Sequence, residues 1–144
     1  MASNAQLSLM NEILDLEGLS ITHYQISNEI GIVLFIEKID PTATCIYCGS
    51  TTRKLHQNNE LTIRDLPWAE KAVYLKINRR QMRCNQCGNK FTEELSYVRK
   101  KRTYTERFKT KIIEEVLNSN MKNVAKRNGV SEQEIETMLK DLGQ

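Results

Sequence analysis

Apolar positions in this 144-residue chain change period along its length, and each period predicts a different kind of element. Leu7, Leu9, Met10, Ile13, Leu14 and Leu16, followed by Gly18, fit a short amphipathic helix over 5–18 stopped by glycine. Over 20–39 the spacing falls to two. Ile32, Leu34 and Ile36 alternate with Val33 and Phe35 in a strongly β-prone run, which predicts two strands joined by a turn near 28–31. The β pattern continues with a strand around 61–64, a turn at Leu66 and Pro67, and a longer strand over 72–82. From Thr103 onward the period is about 3.6. Phe108, Ile112, Ile113, Val116 and Leu117 form one stripe on a helix opened near Thr105. A second helix over 121–128 turns Val124 and Ala125 inward and closes at Gly129. Ser131, with Glu134 three residues on, is a capping box opening a third helix whose buried face is Ile135, Met138, Leu139 and Leu142.

The last two helices, with the glycine-bearing turn between them, have the form of a helix-turn-helix unit. The chain is therefore read as α+β: an N-terminal helix and β-hairpin over 1–40, a small β module over 41–98, and a three-helix bundle over 99–144.

The β module holds every cysteine, in two copies of one phrase: Cys45-Ile-Tyr-Cys48-Gly49 and Cys84-Asn-Gln-Cys87-Gly88. A pair spaced C-x-x-C can point both sulfurs at one ion from a tight turn, and two pairs supply the four ligands, roughly 2.3 Å from the metal, of tetrahedral zinc. This predicts a four-cysteine zinc ribbon in which Cys45, Cys48, Cys84 and Cys87 hold one structural Zn2+. Four thiolates leave no open coordination position, so catalysis at the metal is not expected. Two rivals fit less well. A redox dithiol usually occurs once, at a helix start in a βαβ unit, and disulfides need an oxidising compartment, whereas residues 1–10 have neither a basic nor an apolar leader region. A cytoplasmic protein is expected. His56, alone in a polar stretch, is expected at the surface.

Charge sharpens the picture. Net charge is only +3, but residues 71–111 carry 13 Lys or Arg against Glu93, Glu94 and Glu106. A strip at +10 in a chain otherwise at −7 is the footprint of a protein that neutralises phosphates. No apolar run approaches the roughly 18–20 residues that span a bilayer, so no membrane partner is expected, and a small-molecule substrate is not expected either. Double-stranded DNA is. Candidate phosphate contacts are the run Arg99, Lys100, Lys101 and Arg102, with Arg107 on the first bundle helix and Lys122, Lys126 and Arg127 on the second. On the strand entering the second knuckle, Arg79 and Arg83 share a face and Arg80 takes the other, so the Arg79 and Arg83 face is favoured. The third bundle helix is acidic, with Glu132, Glu134, Glu136 and Asp141 against Lys140. Only its Gln133 and Thr137 are candidates to read base edges.

Taken in order, the C-x-x-C-G knuckle, His56, Ile63-Arg64-Asp65-Leu66-Pro67, Arg79-Arg80-Gln-Met-Arg83-Cys84, the second knuckle, Phe91-Thr92-Glu93-Glu94-Leu95 and an Arg-Thr before the bundle resemble a known pattern. It is similar to the N-terminal region of bacterial insertion-sequence transposases of the ISL-three family, from about residue 9 to the C-terminus. The resemblance implies a zinc-binding domain and a helix-turn-helix that together bind the terminal inverted repeats of the element, ahead of a catalytic domain whose three acidic residues hold two divalent metals. The sequence departs from the pattern at Ile46, where the family commonly has proline, and in its shorter second knuckle. It also ends at Gln144, and its acids are scattered over short helices and turns. It is therefore read as a DNA-binding module and not an enzyme: a truncated copy, a domesticated derivative acting at a regulatory site, or the binding part of an active transposase, associated with the bacterial nucleoid when bound. Two further expectations stand beside this one. The ribbon and the acidic third helix are alternatively an adaptor or inhibitor surface for another protein, and the apolar stripe over 5–18, with no obvious partner in the sequence, points to a second copy of the chain.

Overall fold

The computed structural model describes residues 3–143. Helix α1 (Asn4–Leu14) opens with a reciprocal cap: the Ser3 hydroxyl accepts from the Gln6 amide, and the Gln6 side chain accepts from the Ser3 amide. It stops at Asp15, whose left-handed backbone (φ 50°) donates its amide to the Asn11 carbonyl, three residues ahead of the expected Gly18. Asn11 Oδ1 accepts the Ile21 amide at 3.0 Å and so fastens the helix to the sheet. Leu14 is buried, with Leu7 and Met10 packed beside it. The stripe that suggested a second copy is thus largely covered by the chain's own sheet, although Leu9 and Ile13 stay exposed.

Strands β1 (Leu19–Ser27) and β2 (Gly31–Lys38) form the expected hairpin. Next come the short pair β3 (Ala43–Thr44) and β4 (Thr51–Thr52), the long antiparallel pair β5 (Leu55–Trp68) and β6 (Lys71–Arg83), and β7 (Lys90–Thr92). The main sheet runs β1-β2-β6-β5, with β7 also on β6. Because β2 lies parallel to β6, the sheet continues across residue 40, and the hairpin and the cysteine module share one core: Ile32, Leu34 and Ile36 from β2, Ile63 from β5, and Val73, Leu75 and Ile77 from β6. The turn between β5 and β6 falls at Ala69 and Glu70, not at Leu66 and Pro67. β5 is an edge strand, where a proline without an N–H is tolerated, and its pairing is irregular between Asp65 and Trp68.

The bundle comprises α2 (Glu106–Leu117), α3 (Met121–Asn128) and α4 (Glu132–Leu142), capped at their N-termini by Thr105, Asn120 and Ser131. Gly129, at φ 66°, closes α3. Tyr104, Phe108, Ile112, Val124, Ile135 and Met138 are among its buried residues. Two expected core positions, Leu117 and Leu142, are exposed at helix ends, while Lys109 and Asp141 are buried. Asp141 lies one helical step beyond Ile135 and Met138 on the same inward face.

The sheet and the bundle are joined at one place. Arg64 donates its amide to the Thr103 carbonyl and accepts the Thr105 amide, both at 2.9 Å. Next to it Asp65, fully buried, accepts from the Thr105 hydroxyl at 2.8 Å and from two nitrogens of Arg107.

Candidate metal centre and nucleic-acid interface

Each C-x-x-C-G phrase folds as the same knuckle. Gly49 and Gly88, at φ 78° and 75°, return their amides to the carbonyls of Cys45 and Cys84 at 3.0 Å. A left-handed residue is needed at both turns, and glycine adopts it without a Cβ penalty. The Cys45 and Cys84 amides in turn donate to the Ser50 and Asn89 carbonyls at 2.8 and 2.9 Å. The Thr52 hydroxyl donates to the Arg83 carbonyl at 2.7 Å and ties one knuckle to the strand that feeds the other.

The two turns bring all four sulfurs within 4.8 Å of one another. Cys45 and Cys87 lie 3.7 Å apart, and Cys48 and Cys84 3.5 Å. A regular tetrahedron with metal–sulfur bonds of about 2.3 Å has edges of about 3.8 Å, so the donors fit zinc in number, type and spacing. Hydrogen bonds from Ser50 hold the Cys48 thiol down at about 6. Cys87, although it accepts from the Asn89 amide, is pushed up to about 11 by desolvation and by its three sulfur neighbours. Crowding of this kind is relieved by a divalent cation. Beneath the knuckles, Ala43, Met82 and Phe91 pack with Cys45 and Cys84 in a core of five residues.

Tertiary ion pairs divide the predicted cations into two groups. Arg102 donates to both carboxylate oxygens of Asp141 at 2.8 Å, and Arg99 approaches the same carboxylate at 3.8 Å. Those hydrogen bonds hold the Asp141 carboxyl at about 2. Arg107 is committed to Asp65, and Arg127 reaches Glu115 at 2.8 Å. Arg80 donates to both oxygens of Glu93, which also accepts from Lys38 at 2.8 Å. Burial opposes ionisation of Glu93, but the Arg80 and Lys38 hydrogen bonds keep it below the usual glutamate range. By contrast Arg79, Arg83, Lys90, Lys100, Lys101, Lys122 and Lys126 make no ion pair among the described residues. Gln133 is exposed, and the Thr137 hydroxyl donates to the Gln133 carbonyl at 3.1 Å. His56 is exposed at the surface and lies outside the sulfur cluster.

Comparison with known proteins matches two segments of the chain. Residues 41–87 match the family described as the zinc-finger of transposase IS204/IS1001/IS1096/IS1165, and residues 93–143 match the helix-turn-helix domain of transposase family ISL3. The chain carries the zinc-ribbon and helix-turn-helix domains of the ISL3 transposase family. It is similar to the transposase for insertion sequence element IS1001 from Bordetella parapertussis, with 29% identity over 121 residues. That similarity covers 82% of this chain and 30% of the relative, so the chain spans less than a third of that protein's length. No solved structure matches it.

The ISL3-like segments noted in the sequence turn out to be joints. Arg64 lies between the rings of Tyr74 and Phe108, with centroids at 5.4 and 4.8 Å, and thereby bridges ribbon and bundle beside the Asp65 pairing. Glu93 of the Phe-Thr-Glu-Glu segment receives Arg80 of the Arg-Arg-x-x-Arg-Cys segment. Their positions in the sequence mark strand, turn and a basic face, but give Asp65 and Glu93 no partner. What signalled one was a carboxylate inside an otherwise basic or apolar stretch.

Proposed function

We propose that this ISL3-type chain is a zinc-dependent double-stranded DNA-binding module, with Cys45, Cys48, Cys84 and Cys87 holding one structural Zn2+. Its targets are the terminal inverted repeats of an insertion sequence, or a regulatory site derived from them, and it works in the bacterial cytoplasm at the nucleoid. The observation that carries this reading is the pair of domain matches, ribbon then helix-turn-helix, on a chain whose basic segment retains unpaired cations. Lys100, Lys101, Lys122 and Lys126 contact phosphate. Arg102 and Arg107, each held by a buried carboxylate, act mainly by fixing linker and helix in place, while Arg99 and Arg127, 40% and 56% exposed beside their carboxylates, stay within reach of phosphate. Neither matched domain is catalytic, and end-binding is the step assigned to this chain. Fluorescence anisotropy with duplex DNA at about 50 and 200 mM salt tests the proposal. Counterion release predicts a steep fall in affinity, with a logarithmic slope of about 0.9 per phosphate contact. Affinity that is flat with salt, or absent, defeats the reading in favour of a protein-interaction module.

A further inference from the structure

The face of the sheet that forms the core does not end where the core ends. Along β5 and β6, the cross-strand pairs Leu61–Ile77 and Ile63–Leu75 point into the apolar interior. Two residues further toward the knuckles, the pairs on that same face become Asn59–Arg79 and Gln57–Gln81. β7 extends the face, setting Thr92 opposite Gln81 and Lys90 opposite Arg83. The opposite face at this end is already engaged: Met82 and Phe91 are buried under the knuckles, and Arg80 is tied to Glu93.

The free face therefore offers three side-chain amides and three cations, and no carboxylate projects from it among these paired residues. Arg79 Nε is shielded from water yet has no hydrogen-bond partner. Arg79, Gln81 and Lys90 line a cleft of about 710 Å³ together with Tyr47 of the first knuckle, Lys100 of the linker and one exposed carboxylate, Glu94. Arginine pairs bidentately with guanine and glutamine or asparagine with adenine in the major groove, which is about 12 Å wide and admits a two-stranded ribbon. Helix α4 is less suited, because Glu132 and Glu136 are exposed beside Gln133.

Resting on the DNA-binding reading above, we infer that this open face of β5, β6 and β7 reads base edges in the major groove of duplex DNA, with the half-buried Arg79, Gln81 and Arg83 as the direct readers. Arg79, Arg83, Lys90 and Lys100 outnumber the one exposed carboxylate, Glu94, and so favour a polyanion, and the amides set between the cations select bases over bare phosphate.

The test is selection of bound sequences from a random duplex pool by the zinc-loaded chain, its Gln81→Ala and Arg83→Lys variants, and a Gln133→Ala, Thr137→Ala double variant. Zinc content and circular dichroism verify folding of each. Arg83→Lys keeps the charge but loses the planar fork. The wild-type chain should select a motif, and each sheet variant should lose preference at one or two positions, with about a fivefold or larger drop in affinity for the selected site. The double variant on α4 should keep the wild-type motif. Affinity for random duplex should hold in Arg83→Lys. Unchanged motifs in both sheet variants overturn the inference, as does duplex binding by the wild-type chain without any motif. Failure of the wild-type chain to bind any duplex at low salt instead defeats the DNA-binding reading on which this one rests.

Discussion

Asp65, Glu93 and Asp141 are carboxylates withdrawn from water, and each meets an arginine in a two-point pairing. Removing one partner from such a pair leaves a buried charge unmatched, which typically costs about 3–5 kcal/mol. Asp65, fully buried, is the charge stranded by Arg107→Ala, which leaves it only the Thr105 hydroxyl. Arg107→Ala should therefore destabilise the chain by about 3 kcal/mol or more in a urea melt. Asp141 gives a prediction in pH. Its folded carboxyl sits at about 2, below the ordinary 3.8, so the unfolded chain takes up the proton first as pH falls. The stability it contributes is complete above about pH 4 and drains away toward about pH 2. The gap in melting temperature between wild type and Asp141→Asn should accordingly be widest near neutrality and close across that window. A gap independent of pH would show that the Arg102 pairing is not its source. Neither carboxylate could be assigned a partner from the sequence, because the arginines that meet Asp65 and Asp141 lie 42 and 39 residues away.

At the scale of elements, local signals read well. The second and third bundle helices, the Thr105 and Ser131 caps and the glycine stop at 129 match the expectation because period and capping act within a few residues. The β5–β6 turn was misplaced because Leu-Pro is a turn signal in isolation but is tolerated in an edge strand. Parallel pairing of β2 with β6 was not legible either, since nothing local marks it. Its trace is Gly31, at φ 115°, where a Cβ would collide with the Ala72 carbonyl oxygen. Gly31→Ala should destabilise the sheet by on the order of 3 kcal/mol, combining backbone strain with the clash, as read by thermal melting. The knuckles give a second prediction. A core of five residues is too small to fold by burial alone, so zinc is expected to supply the difference. Atomic absorption should find one zinc per chain. A chelator should remove it and abolish amide protection at the knuckles, over 43–52 and 82–92, while the sheet around Ile63, Val73 and Leu75 and the helices α2, α3 and α4, which have their own cores, keep theirs.

Across the whole molecule, charge is sorted more finely than composition suggests. Of the 13 cations over 71–111, Lys76, Arg80, Arg99, Arg102, Arg107, Lys109 and Lys111 are paired with carboxylates, some of them from the acidic remainder of the chain. The apparent +10 strip thus contains an internal scaffold together with a smaller set of free cations. Alanine at Lys100 or Lys122 should lower duplex affinity evenly across sequences and reduce the salt slope by about 0.9 each. Arg102→Ala should instead act chiefly on the bundle's melting temperature. No helix among the described residues is long and apolar enough to cross a membrane.

The sequence by itself determined the four-cysteine cluster, the metal class it suits, the three-helix plan of the C-terminal unit and its family. All of these depend on residues close together in the chain or on motifs whose order is their information. Tertiary structure alone decided which arginines are locked to carboxylates and which face of the β5–β6 pair stays open. It also decided that the N-terminal hairpin completes the ribbon's sheet. The physical reason is distance along the chain: ion pairs, parallel strands and shared cores join residues tens of positions apart, and no short pattern in the sequence encodes which of many candidate partners the fold brings within reach.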